Sequence, residues 1–458
     1  MGVLKSIYFG IVLIIGKIIL KLTAIMPGVS GTTWPGGIAG MLKKNILSSF
    51  KYGDNTRVIV VTGTGGKTTT TGMISQLVKS SGKSICTNVE GANMYRGVAT
   101  AFIGSSKLSG RINADYIVLE VDERYLAMVC REVKPQILVV NNILKDQSQR
   151  NGEPGVILGK ISSAINDSML LVLNGDDPNV ASLGKGRKNV RYFGVENQKG
   201  AGIETGVTAV SSPCPVCGGA IEFEYDNLLN IGKFKCGKCG LMADQTVNRV
   251  SFDKATGILS FMDKNYKAKF FTTDFMYCYS AMLTVADAEG IDSQSIQKSI
   301  DAFKLPEGRV EVLKVGDKKI NYLRIKQETP VTLQSALNVV ARDRKPKIVV
   351  FDLSEVVDFT PNYTGMYYAY DCNFGDLPHN NVQRYICMSK VICYDTATRL
   401  VLEGVSKDDI TVLPTADYTQ LLNELEKYDC KNVYLLTWMH SYYDCVNSIE
   451  KYEKRMEQ

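Results

Sequence analysis

The chain has 458 residues, 45% of them apolar and 22% charged, so it is long enough to form roughly two to four domains with ordinary hydrophobic cores. Its net charge of +6 is small for that length and gives no reason to expect a nucleic-acid partner. Four of the 12 cysteines form two Cys-x-x-Cys pairs, which favours a metal site and buried thiols in a reducing compartment over a disulfide framework. The two histidines, His379 and His440, are too few for a histidine-based metalloenzyme.

The first 50 residues are basic and apolar, and they contain no Asp or Glu. Their lysines are Lys5, Lys17, Lys21, Lys43 and Lys44. The uncharged run at 7–16 is shorter than the roughly 20 residues that a membrane-spanning helix needs. We interpret this segment as a basic amphipathic helix on a cytoplasmic membrane surface, and the alternative is a first helix packed on the protein itself. The Gly- and Pro-rich stretch 27–40 is predicted to be a loop.

The central motif is VIVVTGTGGKTTTT at residues 58–71. A β-branched run that ends in glycines predicts a buried strand, and the glycines let backbone N–H groups approach phosphate oxygens at the start of the next helix. In such a loop Lys67 reaches the terminal phosphates and the Thr68 hydroxyl binds Mg²⁺. The loop is a compact form of the usual P-loop, because Val61 occupies the position of the first glycine. The alternative is an ordinary strand-to-helix turn. The ATP site is predicted at Gly63, Thr64, Gly65, Gly66, Lys67, Thr68 and Thr69.

Acidic residues follow two further predicted strands. The strand at 115–121 has an acidic end, formed by Glu120, Asp122 and Glu123. The strand at 168–173 is followed by the acidic segment 174–178. Ligands of open α/β sheets bind at the carboxyl ends of strands, where carboxylates suit a Mg²⁺ that bridges phosphates; the alternative is a solvated loop. Alternation of strand and helix patterns indicates a mostly parallel sheet.

Two Cys-x-x-Cys pairs enclose an 18-residue hairpin-like stretch. Their members are Cys214, Cys217, Cys236 and Cys239. This spacing is typical of a closed Zn²⁺ site with four thiolate ligands, which is structural because it leaves no open position for chemistry. We expect a zinc ribbon at about 205–250 that braces an inserted hairpin.

The C-terminal third reads as a second α/β unit. It follows a helical pattern at 275–299 and a linker at 305–309. Its strands are predicted to include 347–353, 385–388, 391–394 and 432–436. The helices between them are predicted at 333–342, 395–403 and 418–428.

Together these motifs resemble the Mur ligase family, and within it the MurT branch of synthase subunits. The 63–68 loop matches the family loop, with Gly65 where the family usually has Asn. The segment 119–123 matches the acidic strand end of the family, and 174–178 matches its Asn-Ala-Asp-Asp-Pro motif. The four-Cys insertion is the most discriminating feature, because it is typical of the MurT branch.

The resemblance implies a fold and the residue bounds of its domains. The expected fold is a Mur-ligase-like central P-loop domain with a parallel sheet and an inserted four-Cys zinc ribbon, plus a C-terminal Rossmann-like α/β domain. The expected segments are the N-terminal 1–50, the central domain 51–308 and the C-terminal domain 309–458. The chain departs from the family at 326–330, where Lys-Asn-Pro is replaced by Lys-Gln-Glu-Thr-Pro, and at 368–371, where Trp-x-Trp-Asp is replaced by Tyr-Ala-Tyr-Asp.

The resemblance also implies an activity, which is ATP-dependent amidation of the α-carboxylate of D-glutamate in the lipid II stem peptide. Lys67 and Glu120 take catalytic roles, and Thr68 and Glu120 hold the Mg²⁺. Asn174, Asp176 and Arg309 contact the nucleotide. The enzyme is expected in the cytoplasm, at the inner face of the cell membrane.

The ammonia has to come from elsewhere, because the chain shows no glutaminase nucleophile and no Cys paired with a plausible His. The resemblance supplies a GatD-type glutamine amidotransferase subunit, whose Cys-His pair Asp371 completes as a triad; Asp352 and Asp358 are the fallbacks. Two other readings remain open. One is a Mur-like ligase acting on a soluble acid, and the other is a P-loop protein that binds nucleic acid through its zinc ribbon. The ribbon carries too little positive charge to favour the second.

Overall fold

The computed structural model describes residues 2–25, 31–88, 92–145, 153–197, 213–228, 230–243, 248–304, 310–325, 330–353, 368–438 and 441–456. The chain divides into two compact units. The first unit comprises Met1–Leu144, Pro154–Ala201 and Thr208–Lys304, and the second comprises Lys145–Glu153, Gly202–Val207 and Leu305–Gln458. The domain limits at 50 and 308 stay predictions.

The first unit begins with two helices, α1 (Gly2–Ile25) and α2 (Trp34–Leu42). The prediction of a loop at 27–40 was wrong over the length of α2. Its glycines serve close packing rather than a turn, since a Cβ at Gly36 would lie 2.0 Å from the carbonyl oxygen of Arg96. Pro35 stands in the first turn of α2, where the missing N–H costs nothing. In the described part of the chain, α1 alone is long and apolar enough to cross a membrane, a criterion that core helices and signal sequences also meet.

A nine-stranded sheet forms the centre of the first unit, in the order β11-β10-β9-β6-β5-β4-β1-β3-β2. Its strands are β1 (Arg57–Thr62), β2 (Ile85–Thr87), β3 (Tyr116–Glu120), β4 (Ile137–Val140), β5 (Leu170–Asn174), β6 (Val190–Val195), β9 (Asn248–Asp253), β10 (Ile258–Phe261) and β11 (Lys264–Lys267). In the sheet order, every neighbouring pair between β2 and β9 is parallel. The pairs β9–β10 and β10–β11 are antiparallel. The predicted, mostly parallel sheet is therefore confirmed.

Helices cover this sheet. They are α3 (Lys67–Ser80), α4 (Tyr95–Ser105), α5 (Leu126–Val133), α6 (Pro154–Ser162), α7 (Pro178–Leu183), α8 (Thr273–Ala288) and α9 (Ser293–Ala302). The helical pattern at 275–299 is thus two helices. Gly290 adopts a φ of +65° between them, and the Asp292 side chain accepts a hydrogen bond from Ser295 N at the start of α9.

The four-Cys segment is a separate antiparallel hairpin of β7 (Ile221–Leu228) and β8 (Ile231–Cys236). Cys214 and Cys217 precede the hairpin, and Cys236 and Cys239 lie at its end. A small apolar cluster that includes Ile221 and Phe234 packs beside the cysteines. The predicted hairpin is confirmed. Because its apolar core is small, a metal ion that joined the four cysteines would add to the stability of the hairpin.

The second unit contains a six-stranded sheet in the order β12-β13-β17-β14-β15-β16. Its strands are β12 (Val310–Val315), β13 (Lys318–Ile325), β14 (Lys347–Asp352), β15 (Val382–Met388), β16 (Ile410–Leu413) and β17 (Asn432–Trp438). Its helices are α10 (Pro330–Arg342), α11 (Cys393–Leu402), α12 (Tyr418–Leu425) and α13 (Ser441–Met456). All pairs but β12–β13 are parallel. The strand predicted at 391–394 was wrong, because α11 begins there and Val391 is 51% exposed.

Candidate active site

The 63–68 loop lies between β1 and α3, at the carboxyl end of a central strand. Gly63 and Gly66 adopt φ angles of +124° and +74°, which favour glycine. A Cβ at Gly63 would also lie 2.9 Å from the backbone nitrogen and oxygen of Asn142. The helix begins at Lys67, so its first N–H groups and its positive end belong to this loop. The result is a backbone cradle suited to an anion such as a phosphate group.

Lys67 is held inside the cradle. Its Nζ donates to the carbonyl oxygen of Gly63 and, at 2.9 Å, to Oε1 of Glu123. The side chains of Lys67 and Glu123 are each 9% exposed, so this is a buried ion pair. The sequence showed Glu123 only as part of an acidic strand end, and nothing in the spacing indicated its pairing with Lys67.

Glu120 lies at the end of β3, which pairs with β1 so that Val61 stands opposite Glu120. Its Oε1 accepts a hydrogen bond from Asn93 Nδ2 at 2.9 Å, and the residue is 2% exposed. Thr68 is half-buried in the first turn of α3, after the neighbouring strand. A hydroxyl and a carboxylate at the ends of adjacent strands are the oxygen donors that Mg²⁺ prefers, so these residues fit the predicted site.

Asp122, two residues further on, is engaged elsewhere. Its carboxylate accepts two hydrogen bonds of 2.8 Å from the Arg124 guanidinium. Burial favours the neutral acid, but the hydrogen bonds from Arg124 outweigh it and lower the pKa of Asp122. Of the three acids at this strand end, Glu120 and Glu123 therefore remain for the cradle.

The loop that follows β4 forms hydrogen bonds to the backbone of the cradle and so supports it. Asn142 accepts hydrogen bonds from Thr64 N at its carbonyl oxygen (2.9 Å) and from Gly65 N at Oδ1 (2.7 Å). The Asn141 side chain donates to the Thr70 hydroxyl at 3.0 Å. Sequence reasoning missed both asparagines, whose signal was a polar pair directly after a buried strand.

The acidic segment after β5 positions the loop after β4. Asn174 Nδ2 donates to the carbonyl oxygen of Asn141 at 2.8 Å. Asp177 accepts a hydrogen bond from Ile143 N at 2.7 Å, and its other oxygen caps α7. Burial raises the pKa of Asp177 to about 7, although the backbone N–H groups oppose this shift. Asn174 and Asp177 thus hold the loop after β4 in place, and this loop in turn supports the cradle.

Asp176 points into the protein. It forms a 2.6 Å ion pair with Arg249 and accepts hydrogen bonds from Val195 N (2.9 Å) and the Tyr277 hydroxyl (3.0 Å). Burial raises the pKa of Asp176, while Arg249 opposes the shift. These contacts join β5, β6, β9 and α8, and the predicted contact of Asp176 with a nucleotide stays a prediction.

The four cysteines converge as their spacing predicted, with all sulfur atoms within 4.8 Å of one another. The Sγ atoms of Cys214 and Cys239 are 3.6 Å apart, as are those of Cys217 and Cys236. Sulfurs bound at about 2.3 Å to one tetrahedral Zn²⁺ stand about 3.8 Å apart, so the group fits zinc. The backbone N–H groups of Cys239 and Lys238 lower the pKa of the Cys236 thiol to about 6.

The remaining predicted residues belong to the second unit. Asp371 ends a short 3₁₀ turn, Tyr368–Asp371, and is exposed apart from a 2.9 Å ion pair with Lys145 of the same unit. Asp352 is buried, and its Oδ2 accepts hydrogen bonds of 2.6 Å from Tyr418 and Thr437. Arg309 and Asp358 lie outside the described residues, as does most of the departure at 326–330. Asp371 is therefore the better placed of the described acids to meet another protein.

Two family models match the chain. The Mur ligase middle domain matches residues 61–223, which contain the 63–68 loop and the first half of the four-Cys segment. The MurT ligase C-terminal domain matches residues 327–440, which include Asp371. The chain belongs to the Mur ligase family, in its MurT branch. As a member of that family it is an ATP-dependent ligase.

Relatives of the MurT branch align over most of the chain. The lipid II isoglutaminyl synthase (glutamine-hydrolyzing) subunit MurT of Streptococcus pneumoniae is 29% identical, over 89% of both chains. The protein of the same name from Staphylococcus aureus is 29% identical over 78% of this chain and 80% of its own. Both relatives are named as subunits.

Solved structures share the fold at lower identity. The pseudomurein peptide ligase type C of Methanothermus fervidus aligns with a TM-score of 0.64 and 19% identity, over 89% of this chain and 80% of its own. MurF ligase of Thermotoga maritima in complex with ADP aligns with a TM-score of 0.56 and 16% identity, over 92% and 85%. These likenesses confirm the Mur ligase fold of the MurT-branch chain.

Proposed function

We propose that this chain amidates the α-carboxylate of D-glutamate in the stem peptide of lipid II, at the expense of ATP, to give D-isoglutamine. The observation that carries the proposal is the alignment with the S. pneumoniae synthase subunit, which spans 89% of both chains. The cradle at 63–68 with the buried Lys67 provides the phosphate chemistry that such a reaction needs.

The reaction has two steps. A carboxylate oxygen of the substrate attacks the γ-phosphorus of ATP, and the bond to the ADP oxygen breaks. Ammonia then attacks the carbonyl carbon of the acyl phosphate, loses a proton and expels phosphate, which leaves the amide. Backbone N–H groups of the cradle and the Lys67 ammonium stabilise charge on the transferred phosphoryl group.

Two metal ions complete the proposal. Thr68 and Glu120 would hold Mg²⁺, which offsets phosphate charge when bound. Cys214, Cys217, Cys236 and Cys239 would hold Zn²⁺ in a structural role. Thr69, Asn174, Asp176 and Arg309 are retained as proposed nucleotide contacts. Asn174 also holds the loop that supports the cradle.

The nitrogen would come from a GatD-type glutaminase subunit, in which Asp371 completes a Cys-His pair across the interface. The exposed carboxylate of Asp371 supports this assignment. The enzyme would work in the cytoplasm at the inner face of the cell membrane, where a lipid-linked substrate is presented.

The test uses the purified chain with ATP, Mg²⁺, lipid II and an ammonium salt. We expect a product whose mass differs from lipid II by the exchange of one hydroxyl for one amino group. Lys67→Ala should abolish the product, whereas Lys79→Ala, at the exposed end of the same helix, should leave it unchanged. If ATP is consumed on a soluble acid while lipid II remains unmodified, the peptidoglycan assignment fails and the other Mur-like ligase reading takes its place.

A further inference from the structure

Helix α1 presents an apolar stripe to solvent. The stripe repeats at intervals of three or four residues and therefore lies along one side of the helix. It consists of Leu4, Ile7, Ile11, Ile14, Ile18, Leu22 and Ile25, each between 46% and 77% exposed. We call it the α1 outer face. Seven large aliphatic side chains in one row exceed what scattered surface residues explain, so this surface needs a partner.

The same helix is bound to the first unit along its other side. Phe9, Val12 and Leu13 are buried in the core, and Gly16 lies against Ile103 of α4. Lys17 donates hydrogen bonds of 2.6 Å to the carbonyl oxygens of Ile103 and Ser106, at the end of α4. A helix held in this way cannot keep these contacts and also be surrounded by lipid, so the packing favours a helix that lies on a membrane over one that spans it.

The apolar surface continues onto α2. Tyr8, at the margin of the α1 outer face, donates a 2.6 Å hydrogen bond to the carbonyl oxygen of Leu42. Trp34 and Met41 of α2 are 58% and 75% exposed. Indole rings and long flexible side chains are suited to the interfacial layer of a bilayer. Trp34 and Met41 therefore extend the apolar surface with side chains that can enter this layer.

Charge decides between the possible occupants. Lys5, Lys21 and Lys44 are exposed around these helices, and residues 1–50 contain no carboxylate side chain. A second copy would bring lysines against lysines with no acidic partner from the same segment. A bilayer with anionic headgroups would instead attract every one of these lysines.

We infer that the α1 outer face docks the chain on an anionic membrane surface, with the axis of α1 parallel to the bilayer plane. The apolar stripe enters the boundary between headgroups and acyl chains, and the flanking lysines contact the headgroups. Docking deepens the location proposed above, but it does not depend on which acid the enzyme amidates.

The experiment is sedimentation of the full chain with vesicles that contain no lipid II, so that binding is read without turnover. We expect the chain to sediment with phosphatidylglycerol-containing vesicles and to remain in the supernatant with pure phosphatidylcholine or at raised salt. Ile11→Glu combined with Ile18→Glu should lower the partition coefficient at least about tenfold. Leu108→Glu combined with Leu402→Glu, which alters exposed leucines elsewhere, should leave it unchanged.

Several outcomes would overturn the inference. They are absence of wild-type binding to the anionic vesicles, equal binding of the Ile11/Ile18 variant, and retention in the lipid after alkaline extraction, which indicates a spanning helix. A lipid-free dimer that the same variant converts to a monomer would assign the face to a second copy. Melting temperatures confirm that each variant folds, and Lys5→Glu with Lys21→Glu tests the headgroup contact with the apolar stripe intact.

Discussion

Lys67 and Glu123 form an ion pair at the position where the proposed chemistry requires Lys67 to face a phosphate group. A phosphate that enters the cradle must therefore compete with a carboxylate for the same ammonium group. The competition is strong because both side chains are largely removed from water, where Coulomb interactions are weakly screened. We therefore expect nucleotide binding to break the ion pair between Lys67 and Glu123.

Glu123→Gln should raise the affinity for Mg²⁺-free ATP, by about tenfold, because the competing charge is gone. The measurement is calorimetric titration of ATP in the presence of EDTA. Asp263→Asn removes a carboxylate at an exposed turn and serves as the control, for which we expect no change. Weaker binding of Mg²⁺-free ATP to the Glu123 variant would show that the carboxylate organises the cradle instead of competing with the phosphate.

Asp177 gives the stability of the protein a pH dependence. Its folded-state pKa is about 7, well above the ordinary value of 3.8, so the folded chain binds the proton more tightly than the unfolded chain. The stabilisation is fully present below the ordinary pKa and is lost as pH rises towards the folded pKa. Relative to Asp177→Asn, the wild-type free energy of unfolding should fall by about 1 kcal/mol per pH unit between about pH 5 and 7.

The measurement is urea unfolding of both proteins across that pH range. Taking the difference between the two proteins cancels the other titrating groups, because they are shared. Parallel pH profiles for the wild type and the variant would contradict the raised pKa of Asp177. A wild type that gains stability with rising pH would indicate that the N–H groups on this carboxylate outweigh its burial.

The contact between α2 and α4 depends on a glycine that allows the two backbones to approach. Gly36→Ala would place a methyl group 2.0 Å from the carbonyl oxygen of Arg96, so one of the helices has to move. We expect a loss of at least about 2 kcal/mol in the free energy of unfolding. Gly10→Ala, in α1, meets no atom within 4 Å and should instead stabilise the protein by up to about 1 kcal/mol.

Thermal melting of the two alanine variants beside the wild type measures both effects. The pair is matched, because each variant adds one methyl group to a glycine in a helix of the same unit. Equal melting temperatures for the two variants would mean that α2 adjusts without cost and that the close approach is not required.

The contrast between these glycines and those of the 63–68 loop shows what the sequence can predict. The loop was predictable because its chemistry resides in consecutive residues, a β-branched strand, glycines and Lys67. The convergence of the four cysteines was predictable for the same reason. Gly36 was predicted to be part of a loop, because the close contact that requires a glycine there is with α4, some 60 residues away in sequence. The ion pair of Lys67 with Glu123 and the inward turn of Asp176 likewise depend on partners distant in sequence.

The four-Cys hairpin is joined to the cradle by a series of hydrogen bonds. Gly232 N donates to the carbonyl oxygen of Asp176 at 2.9 Å, and Asp176 N donates to Asn174 Oδ1 at 3.0 Å. Asn174 then holds Asn141, whose side chain donates to the carbonyl oxygen of Gly65 at 3.2 Å. These hydrogen bonds run without a break from Gly232 to Gly65, so we expect displacement of the hairpin to alter the support of the cradle.

Removal of zinc should therefore weaken ATP binding as well as the hairpin. We expect a rise of roughly three- to tenfold in the dissociation constant for ATP, the size of a modest coupling between distant sites. The measurement uses a zinc-selective chelator, since Mg²⁺ has to remain. Cys236→Ser should reproduce the effect and Cys130→Ser, at a buried cysteine outside the ribbon, should not. An unchanged dissociation constant in a zinc-free but folded chain would separate the two sites.

On the scale of the whole molecule, the proposed chemistry is divided between two units with separate sheets. The 63–68 cradle and the four-Cys hairpin belong to the first unit, and Asp371 belongs to the second. Such a division fits an enzyme whose second unit receives a reactant from another protein. The subunit names of the S. pneumoniae and S. aureus relatives support the same arrangement.

Asp371→Asn provides the test of that division. In a complex with a glutaminase subunit, the variant should lose amidation driven by glutamine, by a factor on the order of 10³, because a triad histidine without its carboxylate takes the wrong tautomer. Amidation driven by ammonium should remain at the wild-type rate, because the cradle in the first unit is untouched. Asp376→Asn, an exposed acid five residues away, is the matched control and should retain both activities.

The ratio of the two rates carries the argument, because a variant that merely unfolds loses both. Equal losses with glutamine and ammonium would place Asp371 in the synthetase reaction itself. Wild-type rates with both donors would leave the glutaminase triad to be completed by another residue. Only a selective loss with glutamine assigns to the exposed carboxylate of the second unit a role in the chemistry of a different polypeptide.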